Sequence, residues 1–225
     1  MLSVASEPGY VLHRRPYRET SALLEVFSRE HGRVGLVARG AQSRWKGILQ
    51  PFRPLLLAWR QRGELGTLTG AEQVAAPPAL AGEALYCGLY VNELLMRLTQ
   101  RGDPHPEVFE RYRAALAGLS AGGPRTQPHL RVFEKHLLSD LGFGLHLDCE
   151  AGSGDPVSAG RRYRYEPERG LVPVSGDGGV SGAALLALHS EDVGDEHLDE
   201  LRRLMRRVIR YHLGDRPLAT LSLFK

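Results

Sequence analysis

Between residues 10 and 75 the chain is built from short runs of alternating apolar and polar residues, separated by polar turns that carry glycine. This is the stretch that most restricts the fold. The segment VLHRRPYRETS (residues 11–21) leads into ALLEVF (22–27). A turn at Glu30, His31 and Gly32 follows, and then RVGLVARG (33–40). Two adjacent strands joined by a glycine-bearing turn are a hairpin signal. PLLLAWR (54–60) and LGTLTGAEQV (65–74) read as two further strands, joined through residues 61–64. About five short strands in roughly 75 residues fit an OB-type Greek-key barrel, and closure leaves no long strand edge open. The polar positions along these strands are disproportionately arginine.

That surplus is local. Residues 1–80 hold 11 Lys+Arg against 6 Asp+Glu, whereas residues 81–225 hold 18 against 20. Arginine suits phosphate through its planar fork and stacks on flat rings. A basic barrel of this size is therefore a platform for nucleic acid.

The remainder reads as helices with one small sheet. Residues 83–100 carry Leu85, Leu89, Leu94, Leu95 and Leu98 at helical spacing, and residues 105–119 form a second helix. A loop at residues 121–124 precedes a third helix, 126–141, with Leu130, Phe133, Leu137, Leu138 and Leu141 on one side. The third segment opens on a turn-rich stretch, residues 149–156. RYRYE (162–166) and GLVPV (170–174) pair as a hairpin, and 183–189 is a short helix. A longer amphipathic helix spans 196–213 and stops at Gly214. The expected class is α+β: an N-terminal OB-fold barrel over residues 1–79, a helical domain over 80–145, and a small α/β segment over 146–225 packed on the helices.

Several functions are disfavoured. No apolar run is long enough to span a membrane, and the N-terminus lacks the basic and apolar regions of a secretory signal. Cys87 and Cys149 are too few for a disulfide framework, so a reducing cytoplasmic setting is expected. The nine histidines do not cluster at ligand spacing, and no phosphate-binding glycine loop or paired-carboxylate constellation stands out. Residues 152–154 (GSG) lack the G-x-S-x-G pattern and a preceding strand. No catalytic residue and no cofactor are expected. On the last helix Asp195, Glu196, Asp199 and Glu200 stand at the start and Arg203, Arg206, Arg207 and Arg210 toward the end, an order that suits the helix dipole and allows pairing three or four residues apart. A structural role is the first expectation for this stripe, and a secondary DNA path the second.

The segments VLHRRPYRETS (11–21), GRVGLVARGA (32–41), LQPFRPLLL (49–57), LYVNELL (89–95), FE (133–134), LGFG (141–144) and YHLGDRPL (211–218) together resemble the bacterial RecO recombination mediators, in the family's order and spacing. The resemblance implies an N-terminal OB fold, a helical middle and a C-terminal segment packed against it. It also implies binding of single- and double-stranded DNA and annealing of complementary strands coated by single-stranded-DNA-binding protein (SSB). With the partner RecR, such proteins help the recombinase RecA load, and none of this needs a covalent step.

Resemblance and charge together nominate Arg14, Arg15, Arg18, Arg33, Arg39, Arg44 and Lys46 as DNA contacts. Trp45 is expected exposed between Arg44 and Lys46, free to stack on a base, while Tyr17 packs on the barrel. RecO-like proteins recognise the acidic tail of SSB, which ends in an apolar residue and a free carboxylate. An apolar groove of Leu130, Phe133 and Leu137 with Arg131 at its rim would complement it. Two departures stand out. Many family members carry four zinc-binding cysteines in the third segment, whereas this chain offers Cys149 and His146 at most, so no metal is expected. The tail reads ATLSLFK (219–225), with one positive side chain where the family usually carries two. The alternative functions are a protein–protein adaptor with weak DNA affinity and an RNA-binding OB protein.

Overall fold

A computed structural model describes residues 1–214 and 217–224. Asp215, Arg216 and Lys225, which the YHLGDRPL and tail readings include, lie outside the described residues. Contacts divide the chain into two compact units, Met1–Ser120 with Leu218–Lys225, and Ala121–Pro217.

The first unit is built on a closed five-stranded barrel. Its strands are β1 (Leu2–Tyr17), β2 (Ser21–Ser28), β3 (Gly32–Ala38), β4 (Leu55–Gln61) and β5 (Leu65–Gln73), in the order β1-β2-β3-β5-β4. All pairings are antiparallel except β3 with β5, where Gly35, Leu36 and Val37 face Leu65, Gly66 and Thr67 in parallel. The alternation in β2 and β4 turns Ala22, Leu24, Val26, Leu55, Leu57 and Trp59 inward, where they meet Val11, Val34, Leu36, Ala38 and Leu68. Each fully buried side chain of this size contributes about 1.5–3 kcal/mol. Gly66 is small because the neighbours require it: a Cβ there would sit 2.7 Å from Leu36 Cδ2 and 3.1 Å from Trp59 Cδ1.

β1 begins at Leu2 rather than near Tyr10. Residues 2–9 (LSVASEPG) show no apolar alternation, and their strand conformation comes from pairing with β4, Leu2 opposite Gln61 through Gly9 opposite Leu55. The register slips between Val4 and Glu7, where Ser6 takes φ +57°. Such a bulge turns one long strand from β2 to β4 and so closes the barrel.

Two helices, α1 (Gly82–Leu98) and α2 (Pro106–Ala121), complete this unit. The α2 rings of Phe109 and Tyr112 pack against Tyr10 and Phe27, with centroids 5.1–6.2 Å apart. Asn92 of α1 is 3% exposed; its Nδ2 donates to the Leu12 carbonyl at 2.9 Å and its Oδ1 accepts from the Tyr112 hydroxyl at 2.8 Å. A 3-10 segment, Ala219–Phe224, returns to α1. There the Glu93 carboxylate accepts from the Ala219 and Thr220 amides, both at 2.9 Å, and from the Thr220 hydroxyl at 2.7 Å.

The second unit holds α3 (Thr126–Asp140), a three-stranded sheet of β6 (Arg162–Glu166), β7 (Gly170–Val174) and β8 (Val180–Ser181) in the order β7-β6-β8, then α4 (Gly182–Ser190) and α5 (Leu198–Leu213). α5 buries Leu201, Leu204, Met205, Val208 and Ile209. Its start is tied to the sheet by Glu200, which accepts from the Ser181 amide at 2.8 Å and from Arg162 Nη2 at 2.6 Å. Burial works to raise the Glu200 pKa; the hydrogen bonds from Ser181 and the charge and hydrogen bond of Arg162 overcome it and bring it down to about 2. No helix among the described residues is long and apolar enough to cross a membrane.

Candidate nucleic-acid interface

Two loops meet at one end of the barrel. The β1–β2 hairpin turns through residues 18–20, and the loop of residues 39–49 leaves β3 at the same end, since Ala38 pairs with Ala22 and Ala22 with Pro16. The Ala41 amide donates to the Thr20 carbonyl at 2.7 Å and locks the loops together. Arg44 Nη2 donates to the Thr69 carbonyl of β5 at 3.2 Å, so the loop reaches across this mouth.

This arrangement collects Arg15, Arg18, Arg39, Arg44 and Lys46, all exposed, at one end. Arg15 lies opposite Leu23 on the outer face, whereas Arg14 lies opposite the inward Leu24. Arg14 is half-buried, and its Nε has no hydrogen-bond partner. Arg18 sits over the Tyr17 ring at 5.1 Å, in a turn position with φ +55°. No carboxylate is recorded within ion-pair distance of these cations among the described residues, so their charge faces solvent.

Trp45 corrects the expectation of an exposed stacking ring. It is 6% exposed and belongs to the barrel core. Its Nε1 donates to the Arg39 carbonyl at 3.1 Å, and the Arg44 guanidinium lies 4.5 Å from the ring centroid. Ala41 and Leu49 join it, so the polar-looking loop is a lid whose apolar residues cap the barrel. The spacing of Ala41, Trp45 and Leu49 at intervals of four is the signal that its polar neighbours concealed.

Arg33 also departs from the expected surface. Its Nη1 donates to Glu25 at 3.1 Å and its Nη2 to the Thr99 carbonyl at 3.0 Å. Arg101 clamps the other Glu25 oxygen. This pair of guanidiniums around one carboxylate borders an open cavity of about 620 Å³ at the other end of the barrel, lined also by Leu2, His31 and Glu64. Sequence reasoning did not single out Arg101, because its contact with Glu25 spans 76 positions.

On α3 the residues nominated for an apolar groove are buried. Leu130, Phe133 and Leu137 are core residues, and Arg131 is 5% exposed with its Nη2 on Glu134 at 2.9 Å. The guanidinium is buried rather than placed at a rim. Helical spacing alone did not distinguish a solvent-facing arginine from one paired with a carboxylate three positions on.

Residues 148–157 do not fit a zinc site. His146 is exposed, and among the described residues no group of three or more His, Cys, Asp or Glu could hold a metal. Hydrogen bonds close the loop instead: the Glu150 amide to the Asp155 carbonyl at 2.8 Å, Val157 to Asp148 at 2.8 Å, and Ala151 to Leu171 of β7 at 2.7 Å. The buried Glu150 carboxylate accepts from the Tyr163 hydroxyl at 3.0 Å and from Arg161 at 3.4 Å.

On α5, the expected pairing of Glu200 with Arg203 is not formed, because Glu200 turns to Ser181 and Arg162. Asp199 holds Arg202 at 2.8 Å.

Fold and charge thus define an α+β protein whose N-terminal barrel bears a cationic end. The chain belongs to the RecO family: the pattern described as Recombination protein O N terminal matches residues 1–77, and that described as Recombination protein O C terminal matches residues 80–222. It is similar to proteins named DNA repair protein RecO from Halorhodospira halophila, 46% identical over 233 residues covering 100% of this chain and 98% of the relative, and from Nitrosococcus oceani, 46% identical over 232 residues covering 100% and 94%. The protein of that name from Alkalilimnicola ehrlichii is 46% identical over 231 residues, covering 99% and 91%.

Proposed function

We propose that this chain is a non-enzymatic DNA repair and recombination mediator of the cytoplasm. It binds single- and double-stranded DNA on an OB-type barrel, anneals complementary strands coated by SSB and, with RecR, promotes loading of RecA. The observation that carries the reading is the cationic barrel end: Arg15, Arg18, Arg39, Arg44 and Lys46 gathered by the Ala41–Thr20 hydrogen bond, with no carboxylate within ion-pair distance of them among the described residues. Cations so placed neutralise phosphates and release counterions, which lowers the repulsion between two strands brought together. Arg14, half-buried on the inward face, stands at the same mouth. SSB, RecR and RecA enter as partners through the resemblance to RecO, and the relatives' shared name, DNA repair protein RecO, is the reason to test them here. The SSB tail is not assigned to Arg131, whose guanidinium Glu134 already occupies.

The test is annealing of fluorescent complementary oligonucleotides, bare and SSB-coated, at low and moderate salt. The reading predicts fast annealing that falls steeply with salt, is lost in the Arg15, Arg39, Arg44→Ala variant, and on coated strands also falls when the SSB tail is deleted. Annealing indifferent to salt and to these arginines would overturn it in favour of an adaptor that works through protein contacts.

A further inference from the structure

Two arginines at the cationic end of the barrel lie over aromatic rings. The Arg44 guanidinium stands 4.5 Å from the centroid of the Trp45 ring, and its Nη2 donates to the Thr69 carbonyl at 3.2 Å. The ring beneath it is itself fixed, buried in the barrel core and tied by Nε1 to the Arg39 carbonyl. The Arg18 guanidinium stands 5.1 Å from the centroid of the half-buried Tyr17 ring. Among the described residues the Arg18 side chain makes no hydrogen bond and no ion pair. Its backbone nevertheless holds φ +55°, a conformation that suits glycine or asparagine and strains other side chains. A strained residue that the fold does not hold by any polar contact points to a use outside the fold.

Both arginines are exposed. A guanidinium that rests one face on a ring can offer the other to a second flat group. The loops of this mouth have no accessible ring to do so. Within residues 18–20 and 39–49 the sole aromatic residue is Trp45, and it is buried. Unpaired bases stack on arginine planes as well as on aromatic rings. Arg15, Arg39 and Lys46, exposed at the same end, have no ring contact among the described residues and bring charge alone.

We infer that Arg18 and Arg44 are the base-stacking residues of the barrel end, binding unpaired nucleobases, and that Tyr17 and Trp45 are positioning residues that hold the two planes. The inference rests on the function proposed above and divides its cations: Arg15, Arg39 and Lys46 meet phosphates in any strand, whereas Arg18 and Arg44 meet bases, and only where these are unpaired. Stacking covers the face of a base and leaves its pairing edge free, so a strand held in this way can still meet its complement.

The full-length chain is titrated, by fluorescence anisotropy at one salt concentration, with labelled oligo(dT) and with a strand of the same length whose sites are all abasic. Wild type is expected to prefer oligo(dT). Arg18→Lys and Arg44→Lys keep the charge and remove the plane; each should weaken oligo(dT) binding about five- to a hundredfold and bring the ratio of the two affinities toward one. Arg15→Lys and Arg39→Lys should move both affinities together. Tyr17→Leu, which removes the ring under Arg18 and keeps the arginine, should lower the ratio, and Tyr17→Phe should restore it. Circular dichroism melts report the fold of each variant, and the Tyr17 and Arg18 set decides the matter alone if Arg44→Lys does not fold. Equal wild-type affinity for the two strands, or lysine variants that leave the ratio unchanged, would make Arg18 and Arg44 phosphate contacts and overturn the inference while the proposed function stands. Failure to bind either strand in a salt-dependent way would remove the proposed function, and the inference with it.

Discussion

The indole Nε1 of Trp45 donates to the backbone carbonyl of Arg39 at 3.1 Å, within a loop whose arginines and lysine are exposed. One ring thereby plugs the barrel, while the segment that carries it holds Arg39, Arg44 and Lys46 outward. The cations at this end owe their placement to a core residue.

Trp45→Ala should cost about 3–5 kcal/mol of stability, the range for truncating a buried aromatic. Trp45→Phe keeps most of the burial and loses the hydrogen bond, a cost near 1 kcal/mol. Urea denaturation midpoints measure both. Acrylamide should quench Trp45 poorly in the native state; efficient quenching would mean that the ring is exposed and free to stack.

Arg33 and Arg39 stand on two sides of a distinction that sequence alone does not draw. Arg33→Ala removes one of the two guanidiniums on Glu25 and the donor to the Thr99 carbonyl. It should lower the melting temperature and leave the salt dependence of DNA binding nearly unchanged. Arg39→Ala should leave the melting temperature within error and reduce the slope of log K against log salt by roughly 0.7–0.9, the contribution of one phosphate contact. Thermal melts and binding titrations at several salt concentrations decide the pair; a reduced slope for Arg33→Ala would return it to the interface.

The same distinction marks how far the sequence was legible. Strands, helices and their order followed from periodicity, and the elements that escaped were those whose conformation comes from a distant partner. Residues 2–9 become a strand through β4, and β8 is two residues paired with β6. Among site residues, Arg15, Arg18, Arg39, Arg44 and Lys46 are exposed as their local context suggested, while Arg33, Trp45 and Arg131 are not. Each of those three is held by a partner whose role no periodicity reveals: Glu25, the Arg39 carbonyl, and Glu134. A charge on an amphipathic helix or strand can as well be half of a buried pair as a surface contact, and only the fold decides which.

Glu200 makes the second unit sensitive to acid. Burial raises its pKa and the Ser181 and Arg162 hydrogen bonds bring it below the unfolded value, to about 2 in the folded state. A carboxylate depressed in this way contributes stability that is fully present above its unfolded pKa of about 4.3 and is lost as the pH falls from there toward 2. The ceiling of that contribution is about 3 kcal/mol, at 1.36 kcal/mol for each tenfold change in acidity. Glu200→Gln should remove this part of the acid dependence and lower stability at pH 7. A variant whose stability runs parallel to the wild type between pH 5 and pH 2 would show that Glu200 does not carry the linkage.

The loop of residues 148–157 predicts indifference to metal removal. Where a knuckle is closed by zinc, binding free energy is folding free energy and a chelator unfolds it. Here the closure is made by backbone hydrogen bonds and by Glu150, a carboxylate 8% exposed that the Tyr163 hydroxyl and Arg161 satisfy. EDTA should therefore leave the melting temperature unchanged, and elemental analysis of the purified chain should find zinc well below one equivalent. Tyr163→Phe should destabilise instead, because it strips one donor from a buried carboxylate and leaves the Ser158 amide, which donates to the same hydroxyl at 2.9 Å, without its acceptor. Each buried group so deprived costs about 1–3 kcal/mol. A melting temperature that drops with EDTA and recovers with added zinc would mean that Cys149 and His146 recruit further ligands, and the hydrogen-bonded closure would then be secondary.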